Sequence, residues 1–440
     1  MSDPSTVDPR VVRRKVAWRI LPLIFLLYII SYLDRANVGF AKDRMQEKLN
    51  FSKDVFGDAV GIFFIGYLLL EIPGALIVER WSARKWFTRI LITWGCCSMG
   101  MALVQTPNQF YIARFLLGLA EAGFFPGVIV YFAHWFPRKD RARALGGLVL
   151  GVPFSLALGA RVSGWLLQAN WFGLDGWQWV FLIEGLPAVL MGFALPFLLT
   201  DRPRDAKWLT PAERDWLETT LEAERNEAAK IGGSTLKQAL RKPTVWLLAL
   251  GILATNIGGY ILVFWMPTTV NSMLLEIRGS ATETDSMNWL SVIYACGFVG
   301  VLVSGQSSDR TGDRKWHCVT GQVMSGLFLI ACIIPGQTWG MVFFWLCLAG
   351  FFVWFWPSPF WTLPSQTLSA STAAVSIGFI NMSANFAGSL GSPIVGRMNG
   401  YRDGLLFAAI CFLVGGAIIA MLHAPRIPSA ARTSGTAPTP

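Results

Sequence analysis

The chain has 440 residues and a formal charge of +10, but only 15% of its residues are charged and 53% are hydrophobic. A soluble protein carries about a quarter charged residues, so this composition excludes a soluble globular fold. The apolar residues gather in runs of about 20, the length that crosses roughly 30 Å of hydrocarbon as a helix.

Twelve such spans are predicted: about 17–38, 55–78, 86–104, 109–133, 143–168, 178–200, 243–271, 287–306, 317–335, 339–362, 370–398 and 402–422. The expected fold is an all-α membrane protein of twelve transmembrane helices in two six-helix bundles. Its segments are an N-terminal arm (1–16), a first bundle (17–200), a linker (201–242), a second bundle (243–422) and a tail (423–440). Residues 1–9 and 428–440 have too little apolar content to order themselves. The first span is flanked by basic residues like a signal peptide. It lacks a small-residue cleavage site and is too long for an h-region.

Basic residues concentrate in alternate loops. The arm holds Arg10, Arg13, Arg14, Lys15 and Arg19, and the loop after the second span holds Arg80, Arg84, Lys85 and Arg89. Arg138, Lys139, Arg141 and Arg143 follow the fourth, and nine Lys and Arg lie from Arg202 to Lys242. The loops near 105–108 and 168–176 hold none. This positive-inside pattern places both termini in the cytoplasm, and the net charge belongs to the membrane surface rather than to nucleic acid. The pattern weakens later: the loop near 364–372 has no Lys or Arg, while Arg397 and Arg402 fall on the outer side.

The ionisable residues predicted inside the membrane, Asp34, Arg35, Glu71, Arg114, Glu121, Arg161 and Glu184, all lie in the first six spans, and the middle of the later spans carries none. A charge at the bilayer centre costs about 3 kcal/mol on insertion scales, so each needs a partner, a cavity or a purpose. Arg114 and Glu121 are seven apart, two turns on one helix face, with Gly118 between them and Gly123 beyond to leave room. Asp34 and Arg35 lie at similar depth on a helix running the other way, so the two pairs are expected to meet in one cavity. Arginine holds its charge at every physiological pH, and its planar fork matches a carboxylate. Arg35 and Arg114 therefore suit an anionic substrate. Asp34 and Glu121 can take up protons and in doing so release an arginine. The competing reading is a set of structural salt bridges that only hold helices together.

Other residues leave two readings open. Tyr32 and Tyr67 either bond a substrate hydroxyl or pack. Asn381 and Asn385, one turn apart, bond either substrate or a neighbouring helix. Trp356 and Trp361 are candidate cavity walls. Arg161 either attracts anions or snorkels outward. Glu71 and Glu184 read as structural. In the linker, Thr210, Pro211 and Glu213 fit a capping box. Trp216, Leu217 and Leu221 give that helix an apolar side for the membrane surface, and Gly232-Gly233-Ser234 ends it. The seven cysteines form no CxxC and read as packing thiols. His134, His317 and His423 are scattered, so no metal or other cofactor is implied, and without GxxxxGK[ST] there is no ATP-driven motor.

ERWSARKW (79–86) and DRTGDRKW (309–316) follow the second span of each half, which argues for duplication of a six-helix unit. GQSSDRTGDRK (305–315) resembles the signature loop of the major facilitator superfamily. SYLDRANVGFA (31–41), GIFFIGYLLLEIPGALIVER (61–80), RFLLGLAEAGFFPGVIVYFAHWFPRKDRARA (114–144), GWQWVFLIEGLPA (176–188), LTDRPRDAKWLTPAER (199–214) and FWTLPSQTLS (360–369) extend the resemblance to its anion:cation symporter branch. That branch comprises bacterial permeases for tartrate, phthalate, hydroxyphenylacetate, galactonate and similar acids. The resemblance implies a monomeric, proton-coupled symporter of a small organic anion in the bacterial inner membrane, and no enzyme activity. It assigns substrate and proton to Asp34-Arg35 and Arg114…Glu121. It reads Glu79, Arg80 and Arg84, with Asp309, Arg310 and Arg314, as latches that hold the cytoplasmic side shut. The sequence departs from the family at Arg161, which stands where the family has proline, and at Val152-Pro153, where the galactonate group has glutamine; the second departure argues against galactonate. An organic-phosphate or organic-anion exchanger of the same superfamily is the alternative. Such exchangers use an arginine from each half, and NIGGYILVFWMPTTV in the seventh span has none.

Overall fold

In the computed structural model the twelve expected helices form. They are α1 (Pro9–Leu49), α2 (Lys53–Arg80), α3 (Ala83–Gly100), α4 (Pro107–Ala133), α5 (Arg138–Leu166), α6 (Gly176–Leu198), α7 (Pro243–Arg278), α8 (Glu283–Thr311), α9 (Lys315–Cys332), α10 (Trp339–Phe360), α11 (Ala370–Gly396) and α12 (Tyr401–Ala420). The structure describes residues 7–230, 236–368 and 370–424. The expected break at Gly232-Gly233-Ser234, most of the N-terminal arm's first nine residues and the tail 428–440 lie outside them. Among the described residues nine helices are each long and apolar enough to cross a membrane; α3, α9 and α11 complete the set. The chain crosses back and forth. One face therefore carries the N-terminal arm, the linker and the end of α12 (the basic face), and the other carries the turns after α1, α3 and α5 (the far face).

The packing repeats between halves. α3 lies on α6 as α9 lies on α12, α2 on α4 as α8 on α10, and α1 on α5 as α7 on α11. The halves meet along α2–α11 and α5–α8, two interfaces related by the same duplication, and along α1–α7. Both repeated loops turn a helix hairpin on the basic face. Ser82 caps α3 by accepting from the Lys85 backbone N–H at 3.1 Å, and Gly312 closes α8 at φ 68°.

Three local features differ from expectation. α1 runs well beyond 38, to Leu49, which brings Lys42 inside the protein with no exposure. α4 is broken: Glu121 ends its first segment, Gly123 adopts φ +83°, and a second segment starts at Phe124. Between α5 and α6 a small hairpin pairs Asn170–Trp171 with Leu174–Asp175, turning through Phe172 and Gly173 at positive φ.

The linker helix (Pro211–Lys230) has the expected box. Thr210 N–H donates to Glu213 at 2.9 Å and Glu213 N–H to the Thr210 hydroxyl at 3.3 Å. Its apolar side serves the protein rather than lipid, because Leu217 and Leu221 are buried in the core. Lys15 and the Arg138 backbone N–H bind Glu213 and Glu224, tying the linker under the first half. All seven cysteines are unpaired.

Candidate functional site

The centre of the molecule is organised by α1. Ser31 and Arg35 are one turn apart, so they share a face. Both donate to the same oxygen of Glu121, Oε1: Arg35 through Nη2 and Ser31 through its hydroxyl at 3.1 Å. The Arg35 guanidinium also lies over Tyr32 and Tyr67, each 5.2 Å from the ring centre, and over Phe63 at 5.7 Å. Aromatic faces attract a cation in a water-poor setting. Both expected tyrosines thus flank the expected arginine.

Asp34 is the next residue in the helix and is turned about 100° away. It accepts from Trp94 Nε1 and Ser98 Oγ of α3 and from Asn37 Nδ2 at 2.8 Å. Its hydrogen bonds go to neutral donors and not to an arginine, contrary to the expected charge pairing.

Arg114 is fully buried, its guanidinium 4.5 Å from the Phe63 ring centre. None of its three guanidinium nitrogens has a hydrogen-bond partner among the described residues. It shares a helix face with Glu121 but is not bonded to it. Gly118, expected to leave room, does the opposite. A Cβ there would stand 2.1 Å from the Phe63 carbonyl oxygen, so the glycine lets α4 close onto α2 and presses Phe63 into place under both arginines. Gly123 likewise meets Gly74 of α2, Cβ to Cα 2.7 Å. The break at Ala122-Gly123 leaves Glu121 at a helix end opposite α1.

Across the interface, Asn381 and Asn385 of α11 both donate to Glu71 Oε1 of α2, Asn385 at 3.1 Å. Tyr260 of α7 donates its hydroxyl to Asn385 Oδ1 at 3.2 Å, and its ring packs 4.5 Å from Phe64. Glu71, read from sequence as structural, is the acid that joins the two halves at this level. Trp356 is buried against Gly321 and Cys318 of α9, and Trp361 packs edge-on against Phe360. No hydrogen bond or ring contact joins either tryptophan to the arginine cluster among the described residues.

The repeated loops latch within their own halves. Glu79 lies 3.3 Å from His134, Arg84 binds Asp201 through its backbone N–H at 2.8 Å, and Arg314 pairs with Asp309 at 2.6 Å. Arg80 and Arg310 are exposed. The ion pairs seen to cross between halves lie on the far face: Arg44–Glu283 at 2.8 Å and Arg397–Asp58 at 2.8 Å. Arg161 is exposed on the same face and donates to Asn288 of α8 at 2.7 Å. Glu184 accepts from Ser163 and joins α6 to α5.

Sequence reasoning missed Lys42. It donates to Thr268 of α7 at 2.9 Å and lies 4.3 Å from the Trp265 ring centre, beside Asp43 at 3.5 Å. Its signal was a charged Lys-Asp step just past the apolar run. Tyr260, Trp94 and Asn37 carried no signal, since each is ordinary for an apolar helix.

Two six-helix halves enclosing buried charges at mid-depth define a membrane transporter, and the comparisons agree. The chain belongs to the Major Facilitator Superfamily, whose sequence profile matches residues 24–392. It is 40% identical over 434 residues to a protein of Agrobacterium vitis named "Putative tartrate transporter", covering 98% of this chain and 94% of that one. It is 35% identical over 414 residues to a quinolone resistance transporter of Acinetobacter baumannii, covering 92% and 93%. Its fold matches the crystal structure of a bacterial homologue of the human lysosomal transporter Spinster, with a TM-score of 0.72 at 18% identity, covering 94% and 97% of the two chains. The protein is a multi-pass secondary transporter of this superfamily, not an enzyme.

Proposed function

We propose that the protein is a proton-coupled symporter of a small organic anion, in the anion:cation symporter branch of its superfamily. The observation that carries this reading is Arg114: a permanently charged guanidinium, fully buried, with no hydrogen-bond partner on any nitrogen among the described residues. A buried unpaired charge is costly, and a bound carboxylate supplies two acceptors in the geometry the fork requires. Arg35 stands over the same Phe63 ring and adds a second cation, with Tyr32 and Tyr67 beside it.

Glu121 supports the proton-coupled reading. Ionised, it holds Arg35; protonated, it gives Arg35 up to the substrate. Asp34, held by Trp94, Ser98 and Asn37, is the second candidate proton carrier. The halves 17–200 and 243–422, joined by the linker 201–242, would rock about the interface to open each side in turn. Opening the far face requires Arg44–Glu283, Arg397–Asp58 and Lys42–Thr268 to part. The protein would act as a monomer in a bacterial inner membrane, with its basic face and both termini cytoplasmic. The two relatives bear different cargo names, so the anion reading rests on the site.

The test is a thermal-shift screen of the purified protein against dicarboxylates, sugar acids and aromatic acids, with neutral sugars and cations beside them. Stabilisation by acids alone is expected. Stabilisation by an uncharged sugar or a cation, with none by acids, overturns the reading.

A further inference from the structure

We propose that Glu71 selects the cargo, accepting a hydrogen bond from a hydroxyl group on the transported acid, so that hydroxycarboxylates are preferred over their deoxy counterparts. This rests on the anion-transport reading above and adds to it the chemistry of the substrate's second group.

Glu71 is 5% exposed. Its Oε1 is fully used by Asn381 and Asn385. Its Oε2 is buried and has no partner among the described residues. A buried carboxylate oxygen without a donor is costly, and both nearby amides are already turned to its sibling oxygen. The missing donor must come from elsewhere. Glu71 is one turn, about 6 Å along the axis, from Tyr67, whose ring lies under Arg35. It is within electrostatic reach of Arg35 and near Tyr260, which comes from the other half. That separation suits a short acid with its carboxylate on the arginines and a hydroxyl reaching Glu71. An anion with no donor brings its charge toward a second, unanswered carboxylate and is disfavoured. Because Glu71 joins α2 to α11, the same bond lets the half-to-half contact respond to the cargo.

A purely structural staple makes a different prediction, and the two can be separated. Glu71→Gln keeps an acceptor for Asn381 and Asn385 but turns the other position from acceptor into donor. The experiment measures binding of malate, tartrate, lactate and gluconate with their deoxy and fluoro counterparts, such as succinate and fluorosuccinate, to the purified wild-type protein and to Glu71→Gln. In the wild type, an acid that binds is expected to lose at least about tenfold in affinity when its hydroxyl is replaced by hydrogen or fluorine, since neither donates. In Glu71→Gln that ratio is expected to fall toward one. Equal binding of malate and fluorosuccinate by the wild type overturns the proposal without any variant, and so does a ratio preserved in Glu71→Gln. If none of these acids binds the wild type, this proposal fails; the anion reading fails with it only if the aromatic acids of the screen above do not bind either.

Discussion

Arg35 and Glu121 join α1 to α4 at mid-depth, and Ser31 steadies the same carboxylate oxygen. The bond pairs a permanent cation with a carboxylate, and on the symport reading proposed above a proton on that carboxylate would release the arginine.

Glu121→Gln mimics the protonated form. The variant is expected to fold, to bind substrate and to exchange labelled for unlabelled substrate across proteoliposome membranes. It is expected to lose accumulation driven by an inside-alkaline pH gradient, because accumulation requires the proton to leave. Well-folded variant that accumulates normally would leave Asp34 as the proton carrier. Wild-type uptake that follows sodium and ignores the pH gradient and a protonophore would remove proton coupling altogether.

Arg114→Lys and Arg35→Lys keep the charge and lose the fork. A lysine cannot offer two parallel N–H groups to a carboxylate, so affinity for the substrate acid is expected to fall about tenfold or more in each. Arg114→Lys should fall further, since Arg114 has no hydrogen-bond partner to retain among the described residues. Titration calorimetry on the two variants decides it; near-normal affinity in both would mean that neither arginine holds the carboxylate.

Gly118 and Gly146 offer a paired test of packing. A methyl on Gly118 meets the backbone of Phe63 and Tyr67, neither of which can move freely, whereas nothing lies within 4 Å of one on Gly146. Gly118→Ala is expected to cost about 1–3 kcal/mol and, by displacing Phe63, to weaken substrate binding as well. Gly146→Ala should be neutral or stabilising by up to about 1 kcal/mol, as alanine suits a helix interior better. Thermal denaturation in detergent reads both.

His134, at the basic face, sets a pH dependence. Burial, with Arg202 beside it, lowers its pKa from 6.5 to about 4, against the opposing pull of Glu79. The folded protein therefore takes up this proton later than the unfolded chain. The contribution is fully present above pH 6.5 and is lost as the pH falls toward 4, by at most about 3 kcal/mol. The difference in melting temperature between wild type and His134→Asn is expected to change across pH 6.5–4 and to be constant above. A difference that is flat throughout would show that His134 is not buried in its neutral form.

The sequence by itself determined the architecture. Helices of about 20 apolar residues are dictated by the thickness of hydrocarbon, the alternation of basic and uncharged loops is written in where lysine and arginine fall, and the duplication shows in two matching loops 230 residues apart. It also singled out Arg35, Arg114 and Glu121, because charges inside apolar runs are conspicuous. Tertiary structure decided which of them meet. Asp34 and Arg35 are neighbours in sequence, but a helix turns about 100° between them, so one faces Trp94 and the other Glu121. Gly118 looked like open space, and only the approach of Phe63 makes it a contact. Glu71 read as structural, but what it holds, Asn381 and Asn385 in the other half of the chain, was not visible from its own helix. Lys42 looked like a loop residue until α7 covered it with Trp265 and Thr268. A local pattern reports how a residue sits on its own helix; the partner it faces is set by the crossing of helices far apart in sequence, through packing that no local window contains.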